Sequence, residues 1–182
     1  MPRVPQIDYQ TATPEVRAAH DDHIRRHARI TNMKRTLLNS LPAFHALMEW
    51  YPLRDTVQPF LGPRLTVLFA HVISAETECL ICSTFFRRIL IEEGQDPDRL
   101  ELDEREAAVV EYGRGLAQSP FRVPPAAYDR VAAHFDAGQM TALTAFGAIM
   151  VATNVFNNAL EVDLDEYLHP YRRESAGSSH GG

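Results

Sequence analysis

The stretch from Gln139 to Ala159 restricts the possible folds of this chain more than any other segment. Its residues are apolar on most faces of a helix and do not follow the two-residue alternation of a half-buried strand. A helix that is apolar nearly all round has to be covered on several sides. The stretch therefore predicts a central, buried helix with other elements packed around it.

Helical signals recur along the rest of the chain, and no segment keeps a strand-like alternation for long. Asp103 followed by Glu106 is typical of a capping box at the start of a helix. Helices are predicted over 14–30, 31–38, 41–61 with a break or kink near Pro52, 63–73, 79–93, 103–118, 124–135 and 139–159, with a polar interruption at 74–78 and a short turn at 163–167. The sequence thus predicts an all-α fold.

Charge and hydropathy exclude several classes of partner. The formal net charge is -6 and there is no long basic block, so we expect no binding to nucleic acid or to a membrane surface. No uninterrupted apolar run reaches the roughly 18 residues that span a bilayer, and no secretory signal stands at the N-terminus. We therefore expect a soluble, cytoplasmic protein, with a disordered tail over residues 171–182.

The two cysteines, Cys79 and Cys82, form a C-x-x-C pair at the predicted start of a helix. Unpaired backbone N–H groups there favour a thiolate, and a spacing of three brings both sulfurs to one face, within reach of a disulfide. The chemistry implied is attack of a thiolate on a peroxide or disulfide, followed by resolution by the second cysteine. Two other interpretations stay open: a pair of small buried hydrophobes, or half of a metal site completed by His71 and a further ligand.

Two segments carry a resemblance to a known family. The segment from Pro63 to Arg88, a helix leading into C-x-x-C at the start of the next helix, resembles the core motif of alkyl hydroperoxidase D (AhpD)-like proteins. The segment from Leu102 to Leu160 is similar to the second half of the carboxymuconolactone decarboxylase/AhpD superfamily. At the corresponding positions, members of this superfamily carry residues comparable to Asn154, Asn157 and Asn158 of this chain.

The resemblance implies an all-α AhpD-like helical bundle, with residues 61–170 as its core and residues 1–60 as a helical region packed on it. It implies a homo-oligomer, a trimer or hexamer, with a dimer as a further option. For the redox members it implies an antioxidant peroxidase or disulfide oxidoreductase, with a peroxide or disulfide as substrate, a protein as possible reductant, and no cofactor or metal. By analogy with those members, Cys82 attacks and Cys79 resolves. The helix position instead favours Cys79 as the more acidic thiol, so the assignment stays open.

The sequence departs from the redox pattern at two positions. The Glu and His that form the proton relay of the peroxidase members correspond to Val67 and Phe86. His71 lies one helical turn after Val67 and has the ordinary pKa of a proton shuttle, so we take it as a candidate third catalytic residue beside Cys79 and Cys82. The lactone decarboxylase branch generally lacks the C-x-x-C, so its activity is not expected here. The alternative function is a catalytically silent oligomer that binds a small ligand or partner.

Overall fold

A computed structural model describes residues 2–173 of the chain, and these residues form helices joined by short loops. The α-helices are α1 (Pro14–His27), α2 (Asn32–Leu37), α3 (Leu41–Met48), α4 (Trp50–Leu61), α5 (Pro63–Glu76), α6 (Leu80–Glu92), α7 (Glu104–Ala117), α8 (Pro125–Ala132) and α9 (Ala137–Leu160), followed by a 3-10 helix (Glu166–Tyr171). The predicted all-α class is confirmed. Most of the predicted tail, residues 174–182, lies outside the described residues.

Helix α9 is the long apolar helix that the sequence predicts, and it packs against α3, α4, α5 and α7. Its start is fixed by a capping box, in which the Asp136 side chain accepts a hydrogen bond from the N–H of Gln139 and the Gln139 side chain accepts one from the N–H of Asp136. By length and composition α9 could also cross a membrane, although polar residues interrupt its apolar sequence. Its contacts with four other helices are those of the core helix of a bundle.

Helix α5 forms the second axis of the bundle and contacts α4, α6, α7 and α9. Phe69 of α5 stacks on Phe146 of α9, with ring centroids 6.0 Å apart, and both side chains are fully buried. Gly147 lets α9 approach this layer, because a Cβ there would lie 2.5 Å from Leu116 Cδ1 and 3.2 Å from Phe69 Cζ. The close approach of α5 and α9 positions the cysteine segment described below.

Two predicted boundaries lie a few residues from their predicted positions. The helix predicted over 41–61 is broken, but the break lies at Glu49, between α3 and α4, and not at Pro52. Pro52 instead lies in the first turn of α4, where a missing backbone N–H breaks no helical hydrogen bond. The predicted interruption at 74–78 is also shorter, because α5 continues to Glu76 while the Ser74 hydroxyl donates to the Ala70 carbonyl inside the helix.

Candidate active site

The turn between α5 and α6 sets the positions of both cysteines. Glu78 adopts a left-handed backbone conformation (φ 53°), and the N–H of Cys79 donates to the Ser74 carbonyl at 3.0 Å, so the chain reverses within three residues. Cys79 is the N-cap residue of α6, and its carbonyl accepts the first helical hydrogen bond, from Ser83. Cys82 follows in the first turn. The predicted helix start at the C-x-x-C pair is therefore correct.

Both thiols are free and buried, and the side chains of Cys79 and Cys82 approach each other to 3.6 Å. Cys79 has no exposed surface, while Cys82 lines a cavity. A rearrangement of side chains alone could close a disulfide over this separation, since both cysteines lie in one helical turn. The two sulfurs thus differ in access to the cavity although they are neighbours.

The first proton leaves this pair more readily than it would leave a free thiol. A hydrogen bond with Cys82 lowers the pKa of Cys79 to about 7, with further help from the Asn157 side chain and the N–H groups of Ile81 and Cys82, and against the effect of burial. The same hydrogen bond and burial raise the pKa of Cys82. The pair therefore holds one proton between two sulfurs near neutral pH, and the thiolate is favoured at the helix N-terminus.

Asn157 is the side chain that hydrogen-bonds to both sulfurs. Its Nδ2 lies 3.3 Å from Cys82 Sγ and 3.7 Å from Cys79 Sγ, and the residue is buried. An amide N–H that points at sulfur stabilises the thiolate more than the thiol, because a charged acceptor binds its donor more strongly. Sequence reasoning assigned Asn157 no role, although a polar residue on an otherwise apolar helix was a signal for one.

Two neighbouring amides of α9 hold the turn that carries the cysteines. Asn154 Nδ2 donates to Thr77 Oγ1 at 2.8 Å, and Asn158 Nδ2 donates to the Thr77 carbonyl at the same distance. The three asparagines of α9 therefore fix the α5–α6 turn against the central helix. Of these three asparagines, Asn157 is the one that hydrogen-bonds to the sulfurs.

His71 lies on α5 and is half-buried, but it neither lines the cavity nor hydrogen-bonds to a sulfur within the described residues. Burial lowers the pKa of His71, and the backbone of Ser83, next to Cys82 in the chain, opposes this shift. Its buried Nδ1 has no partner within the described part of the chain. The role of His71 as a substitute relay stays a prediction.

The two positions that lack the relay residues border the cavity beside Cys82. Val67 and Phe86 both line it, and Phe86 packs edge-on against Phe85 with ring centroids 5.1 Å apart. An apolar pair stands where the redox pattern would have two titratable groups. The remaining candidates for proton transfer at Cys82 are the partner thiol, a group brought by the substrate and the predicted relay His71.

The cavity has a volume of about 650 Å³, within the usual range for sites of small organic molecules. Aromatic rings and thioethers form a part of its lining, and Lys34 and Tyr51 lie in the same wall. The Trp50 indole N–H donates to Met150 Sδ at 2.7 Å, which fixes one part of the wall. The apolar residues that line the cavity include Met33, Met48, Trp50, Phe85, Phe86 and Met150.

A metal site would need more ligands than the pair offers. Among residues 2–173 no group of three or more His, Cys, Asp or Glu side chains is placed to hold a metal ion. His71 does not join the two cysteines in such a group. The candidate site is thus described as a dithiol beside a cavity.

No protein-family model matches the sequence, and no curated protein matches it. Solved structures do match. The debrominase Bmp8 in its apo form aligns with a TM-score of 0.76 at 15% identity, over 92% of this chain and 95% of that chain. A Cys→Ala variant of Bmp8 in complex with 2,3,4-tribromopyrrole gives the same TM-score and identity, over 92% and 94%. An AhpD-core, uncharacterized peroxidase-related protein from Ralstonia eutropha JMP134 aligns with a TM-score of 0.69 at 15% identity, over 92% and 94%.

These likenesses show the fold. The chain has the AhpD-like helical fold, which confirms the fold predicted from the segments around the C-x-x-C pair and in the second half of the chain. At 15% identity they assign no activity to this chain.

Proposed function

We propose that this protein is a thiol-dependent oxidoreductase that reduces a small organic substrate held in the cavity, with Cys82 as the attacking thiol and Cys79 as the resolving thiol. One observation carries the proposal: Cys82 borders the cavity, and Cys79 lies directly behind it, fully buried. A substrate in the cavity can approach only the first of these sulfurs. The second is placed to complete a disulfide.

Because the pKa of Cys79 is lowered and that of Cys82 is raised, these roles require one proton transfer before the attack. The thiolate rests mainly on Cys79, and transfer of the shared proton from Cys82 to Cys79 places the thiolate at the cavity. Attack on a hydroperoxide then breaks the O–O bond, gives a sulfenic acid on Cys82 and releases an alcohol after protonation. Cys79 displaces water to form the disulfide. Two thiols are oxidised, one peroxide is reduced, and an external thiol or protein dithiol has to restore the pair.

A carbon–halogen bond is a second candidate target, which the likeness to the debrominase Bmp8 and the aromatic cavity wall favour. Attack of the Cys82 thiolate on the halogen would break the carbon–halogen bond, and a proton would replace the halogen on carbon. Cys79 would then displace halide from sulfur to give the disulfide. The electron balance is the same: two thiols are oxidised and one carbon–halogen bond is reduced.

Mass spectrometry of the intact protein tests the proposal. Reduced protein is mixed with cumene hydroperoxide, oxidised glutathione or 2,3,4-tribromopyrrole, and the loss of two hydrogens is located by peptide mapping. We expect a reversible disulfide between Cys79 and Cys82, no oxidation in Cys82→Ser, and a sulfenic acid or mixed disulfide trapped on Cys82 in Cys79→Ser. Thiols that stay reduced with all three reagents would contradict the proposal and favour a catalytically silent binding protein.

We also propose a homo-oligomer, as the resemblance to AhpD-like proteins implies. Leu80 and Val155 are about half exposed, at 47% and 54%, and a contact between copies of the chain could bury them. Light scattering coupled to size-exclusion chromatography gives the mass directly. A monomer at all concentrations would refute the oligomer. A cytoplasmic location, away from membrane and nucleic acid, stays a prediction.

A further inference from the structure

The cavity beside Cys82 also contains a buried cation. Lys34, on α2, is the only lysine of the chain, and 8% of its surface is exposed. Its Nζ lies 2.8 Å from the hydroxyl of Tyr51, and both residues line the cavity. The His27 ring stacks on Tyr51 with ring centroids 3.6 Å apart, and Arg54 Cζ lies 5.3 Å from the centre of the same ring. The whole lining carries three basic side chains, Arg26, Lys34 and Arg54, against the two carboxylates Glu93 and Asp165, so its charge is positive on balance.

Lys34 has no direct counter-ion among the described residues, since no carboxylate oxygen there lies within 4.0 Å of its Nζ. Asp165 acts on Lys34 from farther away, and its Oδ1 instead accepts the N–H of Asn32. Burial lowers the pKa of Lys34 to about 8, so the ammonium is still charged at neutral pH. A buried ammonium without an ion pair is costly unless something else compensates its charge.

The donors of this cluster are only partly used. An ammonium group carries three N–H donors, and one hydrogen bond, to Tyr51, is formed within the described residues. The Tyr51 hydroxyl keeps its own proton, because burial raises the pKa of Tyr51 to about 12. Lys34 and Tyr51 together can therefore donate to one anionic oxygen in the cavity.

The rest of the wall indicates what carries that oxygen. Trp50, Phe85 and Phe86 supply aromatic surface, and Met48 and Met150 supply polarisable thioethers. Such walls suit a flat ring, which packs against aromatic and thioether groups. A ring with an acidic hydroxyl fits both parts of the cavity.

We propose that Lys34 and Tyr51 bind the ionised oxygen of a planar aromatic substrate, a phenolate, whose ring lies against the aromatic wall in the cavity that Cys82 borders. The binding site does not depend on the proposed function. The further statement that this ligand is the substrate of the thiols rests on it. The site selects ionised phenols over their ethers, because an ether oxygen carries no charge and accepts weakly from an ammonium.

A coloured phenol measures this binding without any turnover. The probe is 4-nitrophenol, which becomes yellow on ionisation, and the protein is the full chain with Cys79→Ser and Cys82→Ser. We expect the bound probe to ionise at a pH about one unit lower than the free probe, which is a tenfold preference for the phenolate. Lys34→Met should abolish that shift, Tyr51→Phe should reduce it, and Arg25→Met, which removes an exposed arginine outside the cavity wall, should leave it unchanged.

The controls separate the proposal from its alternatives. 4-Nitroanisole, the methyl ether, should bind more weakly than 4-nitrophenol and equally to wild type and Lys34→Met. Equal binding of phenol and ether, or an unchanged shift in both Lys34→Met and Tyr51→Phe, would overturn the proposal, as would tighter binding of 4-nitrobenzoate, which would assign the site to carboxylates. Circular dichroism verifies that each variant is folded.

The two proposals can fail separately. A shifted 4-nitrophenol spectrum together with thiols that are inert toward peroxide, oxidised glutathione and tribromopyrrole would leave the anion site in place and remove the oxidoreductase. Oxidation of Cys79 and Cys82 without any preference for the phenolate would do the reverse. The binding measurement is therefore independent of the chemistry of the thiols.

Discussion

Replacing Asn157 with leucine should raise the pKa at which the cysteine pair first ionises. Asn157 Nδ2 donates to both sulfurs, at 3.3 and 3.7 Å, inside the protein. A hydrogen bond to a charged group contributes about 1.5–3 kcal/mol, and a neutral thiol keeps only part of it. A difference of about 1.4 kcal/mol between thiolate and thiol corresponds to about one pKa unit. The ionisation of the pair, now near pH 7, should therefore move to about pH 8.

The pH dependence of alkylation by iodoacetamide measures this change. The rate rises with the thiolate fraction, so the midpoint of the rate profile reports the pKa, and mass spectrometry identifies the alkylated cysteine. Leucine has a similar size and removes the Asn157 Oδ1, which accepts no hydrogen bond from residues 2–173, so we expect a folded variant. Asn158→Leu is the matched control, because Asn158 donates to the Thr77 carbonyl and not to sulfur. A midpoint that stays near 7 in Asn157→Leu, or an equal shift in the control, would refute the reasoning.

Three further predictions concern the relay, the packing and the buried cation. If His71 assists the thiols, His71→Ala should raise the midpoint of the same alkylation profile while the exposed control His45→Ala should not; an unchanged midpoint removes His71 from the site. Gly147→Ala should destabilise the fold by about 1–3 kcal/mol in urea unfolding, since its Cβ would overlap the packed neighbours, whereas Gly138→Ala, whose Cβ meets only a capping carboxylate at 3.3 Å, should be neutral or stabilising. The unfolded chain holds the Lys34 proton more tightly than the folded chain, so the free energy of unfolding of the wild type should rise between about pH 8 and 10.5. Lys34→Met should flatten that rise. Equal dependence of the unfolding free energy on pH in both proteins, measured by urea titration, would show that folding does not lower the pKa of Lys34.

Local signals in the sequence are sufficient to predict much of the fold. The capping box at Asp103 and Glu106 is present as predicted, because both partners lie within one turn and depend on nothing distant. The apolar helix over 137–160 is likewise determined by its own composition. The break at Glu49 was misplaced because a proline in the first turn of a helix and a proline inside one look alike in sequence.

The partners of the cysteines could not be predicted in the same way. Asn157 contacts sulfur atoms that belong to residues more than seventy positions earlier in the chain, and only the packing of α9 against the α5–α6 turn brings them together. The sequence carries no signal for the burial of Lys34 either, since a basic residue is usually exposed. Its burial follows from the packing of distant segments, and no local pattern encodes that packing.

The energetic position of Lys34 argues for a ligand rather than for a structural role. Lowering a lysine pKa from 10.5 to about 8 corresponds to about 3 kcal/mol of lost stability at neutral pH, as an upper bound, and a hydrophobic residue in such a place often stabilises a fold by about 1–4 kcal/mol. The Tyr51 hydrogen bond offsets only a part of this cost, and Asp165 is too far away for an ion pair. A bound anion would restore the missing charge partner. Lys34 would then contribute to stability when an anion is bound, because a ligand that binds only the folded chain adds its binding free energy to the stability.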